Sequence, residues 1–427
     1  MIEKMKSVLL AALVVLSLVQ SYFLSYSMPY FEPIQKTESN YVKTEEMGPE
    51  EKVENLIFPD QMILHLGEGK HTLFSPDMVF YKEIYKRLQG RKFDGFQRHP
   101  YNMMDWNRVR NENQGIELRF SQGVPIALLQ RVMQIQADTT FAEEVVDRIW
   151  IYTSGDNEDV RSLFFSAKGD IVYEATRADL TVQDVKQHLV FGEGWMPYHS
   201  ADGKIYLPDE PIEMVQVTLP YQTFTSEQMQ RNLFLDPSTT RMIQEKDGSE
   251  IFTDGKRSLQ VKQDQKWMIF SDPIARADNK NDLSDNVLSA VQFVNQHGGW
   301  NGTYRLAIPQ HPAEGSEVMF QQYYGAYPII SSDDFRFGHI RLVMQQSVVS
   351  GYERSLIHVE DRAESKSIRT LPGGPELEAM IEQYRKNSSY GIEAVFPAYR
   401  PVLAEESMSL IPVWAVKLKD GTTDILR

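Results

Sequence analysis

The 427-residue sequence contains no cysteine. This absence excludes thiol catalysis, thiolate metal sites, disulfide bonds and an N-terminus lipidated on cysteine. Other catalytic signatures are missing too: there is no HExxH pair, no GxSxG turn and no glycine-rich loop followed by a phosphate-binding lysine. His65 and His71 are close in sequence but fall in different predicted strands, which is not a tight metal-ligand spacing. We therefore predict no catalytic residue, no cofactor-binding residue and no metal ligand.

Basic residues are in the minority. The chain has 44 Lys and Arg against 59 Asp and Glu, a net charge of −15. That sign argues against nucleic acid or an anionic lipid surface as the partner of the whole molecule. The length after the first stretch fits two to four domains and is ample for several hydrophobic cores.

Long apolar runs are absent except at the start of the chain. No charged residue occurs from Ser7 through Phe31, and Pro29 is expected to end the helix, which leaves Ser7–Met28. At ~1.5 Å per residue this helix reaches about 33 Å, enough for a hydrocarbon core of about 30 Å. We predict one transmembrane helix over residues 7–28.

The flanking charges predict the orientation of this helix. Lys4 and Lys6 precede it and Glu32 follows it, so that the positive-inside preference keeps the N-terminus in the cytoplasm. We expect residues 1–6 to be a cytoplasmic stub, residues 29–52 to be a polar stalk, and the bulk of the chain to be extracytoplasmic. The prediction is a single-pass protein of the cell membrane.

A cleaved signal peptide is the competing interpretation. Val8–Val19 is a plausible hydrophobic region, and Ser25-Tyr26-Ser27 is a weak cleavage site. Aromatic residues crowd the outer end, which favours an anchor because aromatic rings sit well at headgroup depth. Gln20 either hydrogen-bonds a partner helix or is hydrated near the outer interface. Our candidate contacts to a partner in the membrane are Gln20, Ser17 and Leu24.

Helix and strand signals alternate along the rest of the chain. Thr181-Val-Gln-Asp184 and Thr225-Ser-Glu-Gln228 are capping boxes, in which the first side chain and the fourth residue satisfy each other's backbone N–H. Further helices are predicted to begin at Ser75-Pro76, Asp282 and Gly374-Pro375, and the first of them to end at Gln89.

Element order predicts the domain organisation. The order helix, strands, helix, strands occurs twice, although the two copies share little sequence. We predict an α+β fold with a domain over residues 53–178, a central module over 179–275 and a C-terminal module over 276–427. The last two are predicted to be related.

One aromatic segment stands apart as a candidate surface. The stretch from Phe320 to Ile330 contains Tyr323, Tyr324 and Tyr327 around a glycine. Such aromatic residues either line a ligand groove or form cross-strand pairs in a sheet. These three tyrosines are our candidate surface for a ligand or a partner.

Four stretches behind the N-terminal span resemble the YycH family. They are Asn55–Gln61 (NLIFPDQ), Gly248–Lys256 (GSEIFTDGK), Ala290–Trp300 (AVQFVNQHGGW) and Gly351–Ser355 (GYERS). The resemblance extends over essentially the whole chain. The family comprises membrane-anchored accessory proteins of the WalK/WalR two-component system of low-GC Gram-positive bacteria.

The resemblance implies a function without catalysis. It implies a membrane-anchored regulator that binds a WalK-like sensor histidine kinase together with a YycI-like membrane protein and thereby controls cell-wall homeostasis genes. It also implies three extracytoplasmic α+β domains, no active site and no cofactor, and it leaves open whether the kinase is activated or repressed. The alternative hypothesis is an extracytoplasmic ligand-binding module for a cell-envelope component, with its pocket in the last domain. The missing catalytic signatures disfavour a third hypothesis, an enzyme of wall metabolism.

Overall fold

The computed structural model describes residues 45–154, 159–262, 264, 266–273, 282–309, 316–331, 335–345 and 347–426, together with Lys6, Leu13, Val14, Leu16 and Ser17. Thr44–Arg427 form one compact unit, separate from Met1–Lys43. Among the described residues, no helix combines the length and apolar character needed to cross a membrane. Most of the predicted span, with Gln20 and Leu24, lies outside the described residues, whereas Ser17 is helical and exposed.

The first part of the compact unit is built on a ten-stranded sheet. Its strands are β1 (Gln61–Gly67), β2 (Lys70–Phe74), β3 (Lys92–Pro100), β4 (Gln114–Pro125), β5 (Gln134–Gln136), β6 (Val145–Ser154), β7 (Asp159–Ser166), β8 (Ile171–Ala178), β9 (Tyr198–His199) and β10 (Leu207–Pro208). The strand order is β10-β9-β2-β1-β4-β6-β7-β8-β3-β5, and the β3–β5 pair is parallel.

The remaining strands form two further sheets. In chain order they are β11 (Ile212–Thr223), β12 (Arg241–Gln244), β13 (Glu250–Thr253), β14 (Ser258–Lys262), β15 (Trp267–Ser271), β16 (Thr303–Ala307), β17 (Ser316–Tyr324), β18 (Tyr327–Pro328), β19 (His339–Gln345), β20 (Val348–Ser355), β21 (Ile357–Val359), β22 (Ser365–Leu371), β23 (Ile392–Leu403), β24 (Ser407–Leu418) and β25 (Thr423–Ile425). The second sheet has the order β21-β11-β24-β23, with β22 on β11 and β25 on β24. The third has the order β12-β13-β14-β15-β20-β19-β17-β16, with β18 on β17.

Helices pack against these sheets. The α-helices of the compact unit are α1 (Val79–Gln89), α2 (Trp106–Glu112), α3 (Ile126–Leu129), α4 (Thr139–Ala142), α5 (Val182–Leu189), α6 (Ser226–Leu233), α7 (Leu283–Gln296) and α8 (Gly374–Asn387). Single 3₁₀ turns occupy Val53–Leu56, Tyr101–Met103, Val190–Gly192 and Pro237–Thr239. The prediction of an α+β fold is confirmed.

The sheets divide the second half of the chain in a way that element order did not predict. The second sheet is formed by β11 and by strands after Ser355, while the third sheet is formed by the strands between them. Strand β15 ends at Ser271 and pairs with β20, so the third sheet crosses the predicted boundary at residue 275. Strand pairing between distant segments has no local signature, which is why the order of helices and strands did not reveal it.

Most of the helix starts that were predicted from local capping signals are present in the structure. Both capping boxes form, with Thr181 and Asp184 bonding reciprocally at α5 and Thr225 and Gln228 at α6. The Asp282 side chain accepts from the backbone N–H of Ser284 at the start of α7. The predicted start at Ser75-Pro76 is wrong, because Asp77 takes a φ of 67° and α1 begins only at Val79. The predicted end of that helix at Gln89 is confirmed.

The first and third sheets share one hydrophobic core. A single cluster of buried side chains includes Leu64 and Phe164 of the first sheet and Phe320 and Leu342 of the third. The second sheet has its own cluster around Trp414 and helix α8. The compact unit therefore has two large cores for three sheets.

The last residues of the predicted stalk pack against the loop that connects helix α7 to strand β16. Within residues 45–52, the backbone N–H of Met47 donates to the carbonyl of Gly298 at 2.6 Å, and Pro49 accepts from the N–H of Trp300 at 3.0 Å. The Met47 side chain is 2% exposed. This part of the chain belongs to the folded unit, because its backbone forms hydrogen bonds to that unit and the Met47 side chain is buried in it.

Gly48 should tolerate no side chain at this contact. A Cβ atom there would lie 1.7 Å from the carbonyl oxygen of Trp300. We expect Gly48→Ala to lower the free energy of unfolding by about 1–3 kcal/mol, measured by urea denaturation, because one backbone segment must move away from the other. The matched control is Gly90→Ala, whose Cβ would meet its nearest neighbour at 3.5 Å. Equal stability of the two variants would contradict the prediction.

Candidate functional site

The three predicted tyrosines lie where β17 turns into β18. Tyr324 pairs with Tyr327 across the hairpin, and Gly325 between them has a φ of 55°. The rings of Tyr324 and Tyr327 lie 5.6 and 6.3 Å from that of Tyr399. Tyr323 is buried, and the other two are half-buried. Cross-strand pairing is therefore present, and contact with a ligand or partner stays a prediction.

Tyr323 and Tyr327 also line a cavity where the three sheets meet. The cavity comprises about 1020 Å³ of space free of protein atoms, part of which is open to solvent. The first sheet contributes Tyr198 of β9, and the second sheet contributes Phe396 and Trp414. Tyr324 does not line this cavity. The walls of the cavity are largely aromatic and aliphatic, as is usual for sites that bind small molecules.

A buried ion pair closes the wall between the first and third sheets. The carboxylate of Asp60, just before β1, pairs with the guanidinium of Arg305 in β16, and the two side chains are 12% and 6% exposed. Asp60 also accepts from the backbone N–H of Ser121. The Tyr323 hydroxyl lies 3.4 Å from the Asp60 Oδ1 atom. Asp60 and Arg305 stabilise each other's charged form, because either charge alone would be strongly disfavoured in this buried position.

Lys417 is a second buried cation at the cavity wall. It lies in β24, and its side chain is 5% exposed. Its Nζ atom donates to the backbone carbonyl of Ser121 at 3.1 Å and contacts the Glu393 carboxylate at 3.1 Å. The first of these contacts joins the second sheet to the first.

Sequence reasoning missed Asp60, Arg305 and Lys417. Lys417 could have been found, because it interrupts the apolar run Val413–Leu418 and a lysine buried in a strand requires partners. Asp60 gave no such signal, since it sits in a loop beside proline and resembles an ordinary solvated turn.

His65 and His71 come together after all. They face each other across the β1–β2 hairpin, with 3.0 Å between their Nδ1 atoms, so that one nitrogen donates and the other accepts. The Nε2 atom of His65 lies 2.9 Å from the Glu117 carboxylate, which also pairs with Arg119 at 2.8 Å. Tyr206, which lines the cavity, packs edge-on against the His71 ring at 5.4 Å.

Burial and neighbouring charges together determine the charge states in this network. Burial lowers the pKa of His65, and burial together with the nearby His65 and Arg110 lowers that of His71 to about 4. Burial opposes ionisation of Glu117, but Arg119, His65 and Arg148 outweigh it and hold its pKa well below the usual value. Two neutral histidines beside a carboxylate form a hydrogen-bonded structural network. Within the described residues, no group of three or more acidic or histidine side chains could hold a metal ion.

Comparison with known proteins identifies the family. The description "YycH protein, N-terminal domain" matches residues 3–188, and "YycH protein, C-terminal domain" matches residues 202–426. The chain belongs to the YycH family. It is 22% identical over 449 residues to the Bacillus subtilis (strain 168) protein named "Two-component system WalR/WalK regulatory protein YycH", covering 100% of this chain and 97% of the relative.

Solved structures support the shared fold. The crystal structure of YycH from Bacillus subtilis has a TM-score of 0.72 and 18% identity, covering 90% of this chain and 99% of that chain. The C-terminal domain of Bacillus megaterium YpeB is 12% identical, with a TM-score of 0.26 over 48% of this chain and 99% of that chain.

The YycH-like GYERS motif has a structural role. Arg354 is 1% exposed and donates to the Gly299 carbonyl at 2.8 Å and to the Asn301 side chain at 2.6 Å. Glu353, next to it on β20, pairs instead with Arg341, because adjacent residues of a strand face opposite sides. The motif therefore fixes the loop against which residues 45–52 pack.

The Asp60–Arg305 pair should be strongly coupled. We expect Arg305→Met to lower the free energy of unfolding by about 3–5 kcal/mol, because Asp60 would remain buried without its counter-ion. The double variant Asp60→Asn/Arg305→Met should recover part of that loss in urea denaturation. Arg385→Met is the control, since its ion pair with Glu382 is exposed and worth about 0–1 kcal/mol. Additive effects of the two substitutions would contradict the coupling.

Acid should destabilise the fold through His71. Its folded-state pKa of about 4 lies below the usual 6.5, so between these values the unfolded chain binds a proton that the folded chain does not. The free energy of unfolding should therefore fall as the pH falls from about 6.5 to 4. His71→Asn should flatten this dependence, whereas Tyr206→Phe should change stability without changing the slope. If His71→Asn leaves the dependence of stability on pH unchanged, the proton taken up on unfolding binds to another group.

Proposed function

We propose that this chain is a non-enzymatic regulator of a WalK/WalR two-component system that acts by binding the sensor histidine kinase together with a YycI-like membrane protein. The observation that carries the proposal is the match to both YycH domains, together with a relative that aligns over 97% of its own length and is named a WalR/WalK regulatory protein. Through the kinase, the chain would control cell-wall homeostasis genes.

The interior of the compact unit supports a role in binding. In the buried polar clusters described above, Asp60, His65 and Arg354 each form hydrogen bonds to neighbouring protein groups and connect sheets and loops. Hydrogen-bonded buried groups of this kind stabilise a defined fold, which a binding scaffold needs.

The predicted transmembrane helix supplies a physical route to the kinase. Two proteins held in one membrane meet at a raised effective concentration, so that weak contacts suffice. Gln20, Ser17 and Leu24 are our proposed contacts within that helix. Repacking of such a face between two kinase states could shift their balance by about 1–3 kcal/mol, the usual size of allosteric coupling.

A second candidate function is the binding of a cell-envelope component by the extracytoplasmic part. The specific observation that favours it is the aromatic cavity at the junction of the three sheets, lined by Tyr323 and Tyr327. The two functions are compatible, because a ligand that favours one arrangement of the sheets would change what the regulator presents to its partners.

The regulator proposal predicts specific copurification. The full-length chain, and a version whose Ser7–Met28 stretch is replaced by an unrelated single span, should each be captured from membranes in mild detergent, with the bound proteins identified by mass spectrometry. We expect a sensor kinase with the native chain. Gln20→Leu should reduce its recovery, whereas Ser25→Leu, on another face of an ideal helix, should not.

Each outcome of that capture has a distinct meaning. Recovery of the kinase with the native span alone would place the contact in the membrane. Recovery with both versions would place it in the folded unit and remove the roles proposed for Gln20, Ser17 and Leu24. Absence of the kinase from both captures would reject the regulator proposal.

A further inference from the structure

Strand β12 is an open edge of the third sheet. Among the described residues it pairs with β13 alone, and all four of its side chains, Arg241–Gln244, are exposed. Two of them are large and apolar, since Met242 is 59% exposed and Ile243 is 53% exposed. The unpaired N–H and C=O groups of such an edge are a template for another strand, and apolar side chains beside them add contact area.

The pairing within the β12–β13 hairpin determines which backbone groups face outward. Its register is unbroken and continues into the turn, where the N–H of Glu245 donates to the Ser249 carbonyl at 2.8 Å. Residues of an antiparallel strand alternate between bonding to one side and to the other. Ile243 therefore bonds toward β13, as Glu245 does, whereas the N–H and C=O groups of Met242 and Gln244 point to the open edge.

This geometry suits a second copy of the same strand. A two-fold axis at Ile243 would place Met242 of one copy opposite Gln244 of the other, so that their outward backbone groups bond to each other. The same axis would place Arg241 of each copy opposite Glu245 of the other, which gives two ion pairs. Shifting the register by two residues would keep the backbone bonds but would set one of these charges opposite Ile243.

Both charges are available for this pairing. No ion pair within the part of the chain that the structure describes involves Arg241 or Glu245, and the carboxylate of Glu245 accepts a hydrogen bond from the neutral Gln260 side chain at 3.1 Å. Arg241, Ile243 and Glu245 share one face of the strand because side chains alternate. The strand therefore carries a stripe of positive, apolar and negative side chains that is complementary to its own two-fold copy.

We infer that β12 is an interface between two copies of this chain, which join edge to edge by antiparallel pairing about Ile243. The third sheet then continues from one molecule into the other. A strand this short buries less than the ~1,200 Å² of a stable soluble complex. We therefore expect the pairing between copies held in one membrane, where the effective concentration is raised. The inference goes beyond the proposed function and uses neither the kinase contact nor the cavity.

The competing explanation is that β12 is a protected edge, kept short and charged so that nothing pairs with it. Strand β22 provides the comparison, because it is another exposed strand that pairs with β11 alone among the described residues. It also carries an exposed isoleucine, Ile368, but its charges, Lys366 and Arg369, have the same sign. A protected edge predicts that both strands stay unpaired, whereas the interface predicts that only β12 pairs.

The absence of cysteine makes a crosslinking test direct. In full-length Ile243→Cys in its membrane, the two thiols would face each other in a non-hydrogen-bonded pair, whose Cα atoms lie about 4.5 Å apart, within the range of a disulfide. Mild oxidation with copper phenanthroline should therefore give several-fold more disulfide-linked dimer than in the matched control Ile368→Cys. The dimer is measured on a non-reducing gel.

Exchange of charges tests the register. Added to Ile243→Cys, Arg241→Glu should lower the dimer fraction several-fold, because two like-charge pairs replace two ion pairs. Adding Glu245→Arg as well should restore the dimer, since each charge again faces its opposite. Lys86→Glu, at an exposed position of α1, makes the same change of charge away from the strand and should leave the dimer fraction unchanged.

Thermal unfolding of each variant by circular dichroism verifies that it is folded. Equal crosslinking of Ile243→Cys and Ile368→Cys would overturn the inference. An Arg241→Glu variant that crosslinks as well as its parent, or a charge exchange that does not restore the dimer, would overturn it too. Copurification of the kinase is measured separately, so that failure of this inference is distinguishable from failure of the regulator proposal.

Discussion

The backbone of one residue, Ser121, is a point at which polar contacts connect all three sheets. Its N–H donates to Asp60, which is paired with Arg305 of the third sheet. Its carbonyl accepts from Lys417 of the second sheet at 3.1 Å. Buried charges are costly unless they are paired and hydrogen-bonded, so loss of a partner would destabilise either of these contacts. The arrangement of the sheets is therefore fixed by a few directional polar contacts as well as by the hydrophobic cores.

That way of joining sheets also explains the cavity. Two sheets that pack face to face bring their side chains into contact over a wide area and leave little space. Beside the cavity, the first and third sheets meet at the buried Asp60–Arg305 ion pair, and the second sheet is joined to the first by the hydrogen bond from Lys417 to the Ser121 carbonyl. The geometry of these contacts is set by hydrogen bonding. The space that remains is bordered by Trp414 and Phe396 on one side and by Tyr323 and Tyr327 on another. The cavity and these polar contacts lie at the same junction.

The sequence predicted what depends on near neighbours and missed what depends on distant ones. The capping boxes at Thr181 and Thr225 formed because all their partners lie within four residues. Cross-strand pairing at Tyr324 and Tyr327 was one of two alternatives that the sequence offered, because both residues lie close to the same glycine. Lys417 and Ser121 are 296 residues apart, and no periodicity or spacing connects them. The same reason hid the division of the C-terminal strands between two sheets, since pairing is decided by packing across the whole chain.

Regulation through this fold would require an energetic difference between two states of the regulator. A ligand shifts such an equilibrium only by the difference between its affinities for the two states. A site whose walls come from all three sheets satisfies that requirement, because a small change in the angle between sheets alters several contacts to the ligand at once. A tenfold difference in affinity corresponds to about 1.4 kcal/mol, which lies within the usual range of allosteric coupling. A surface groove on one sheet would lack this sensitivity, since its contacts would move together with the ligand.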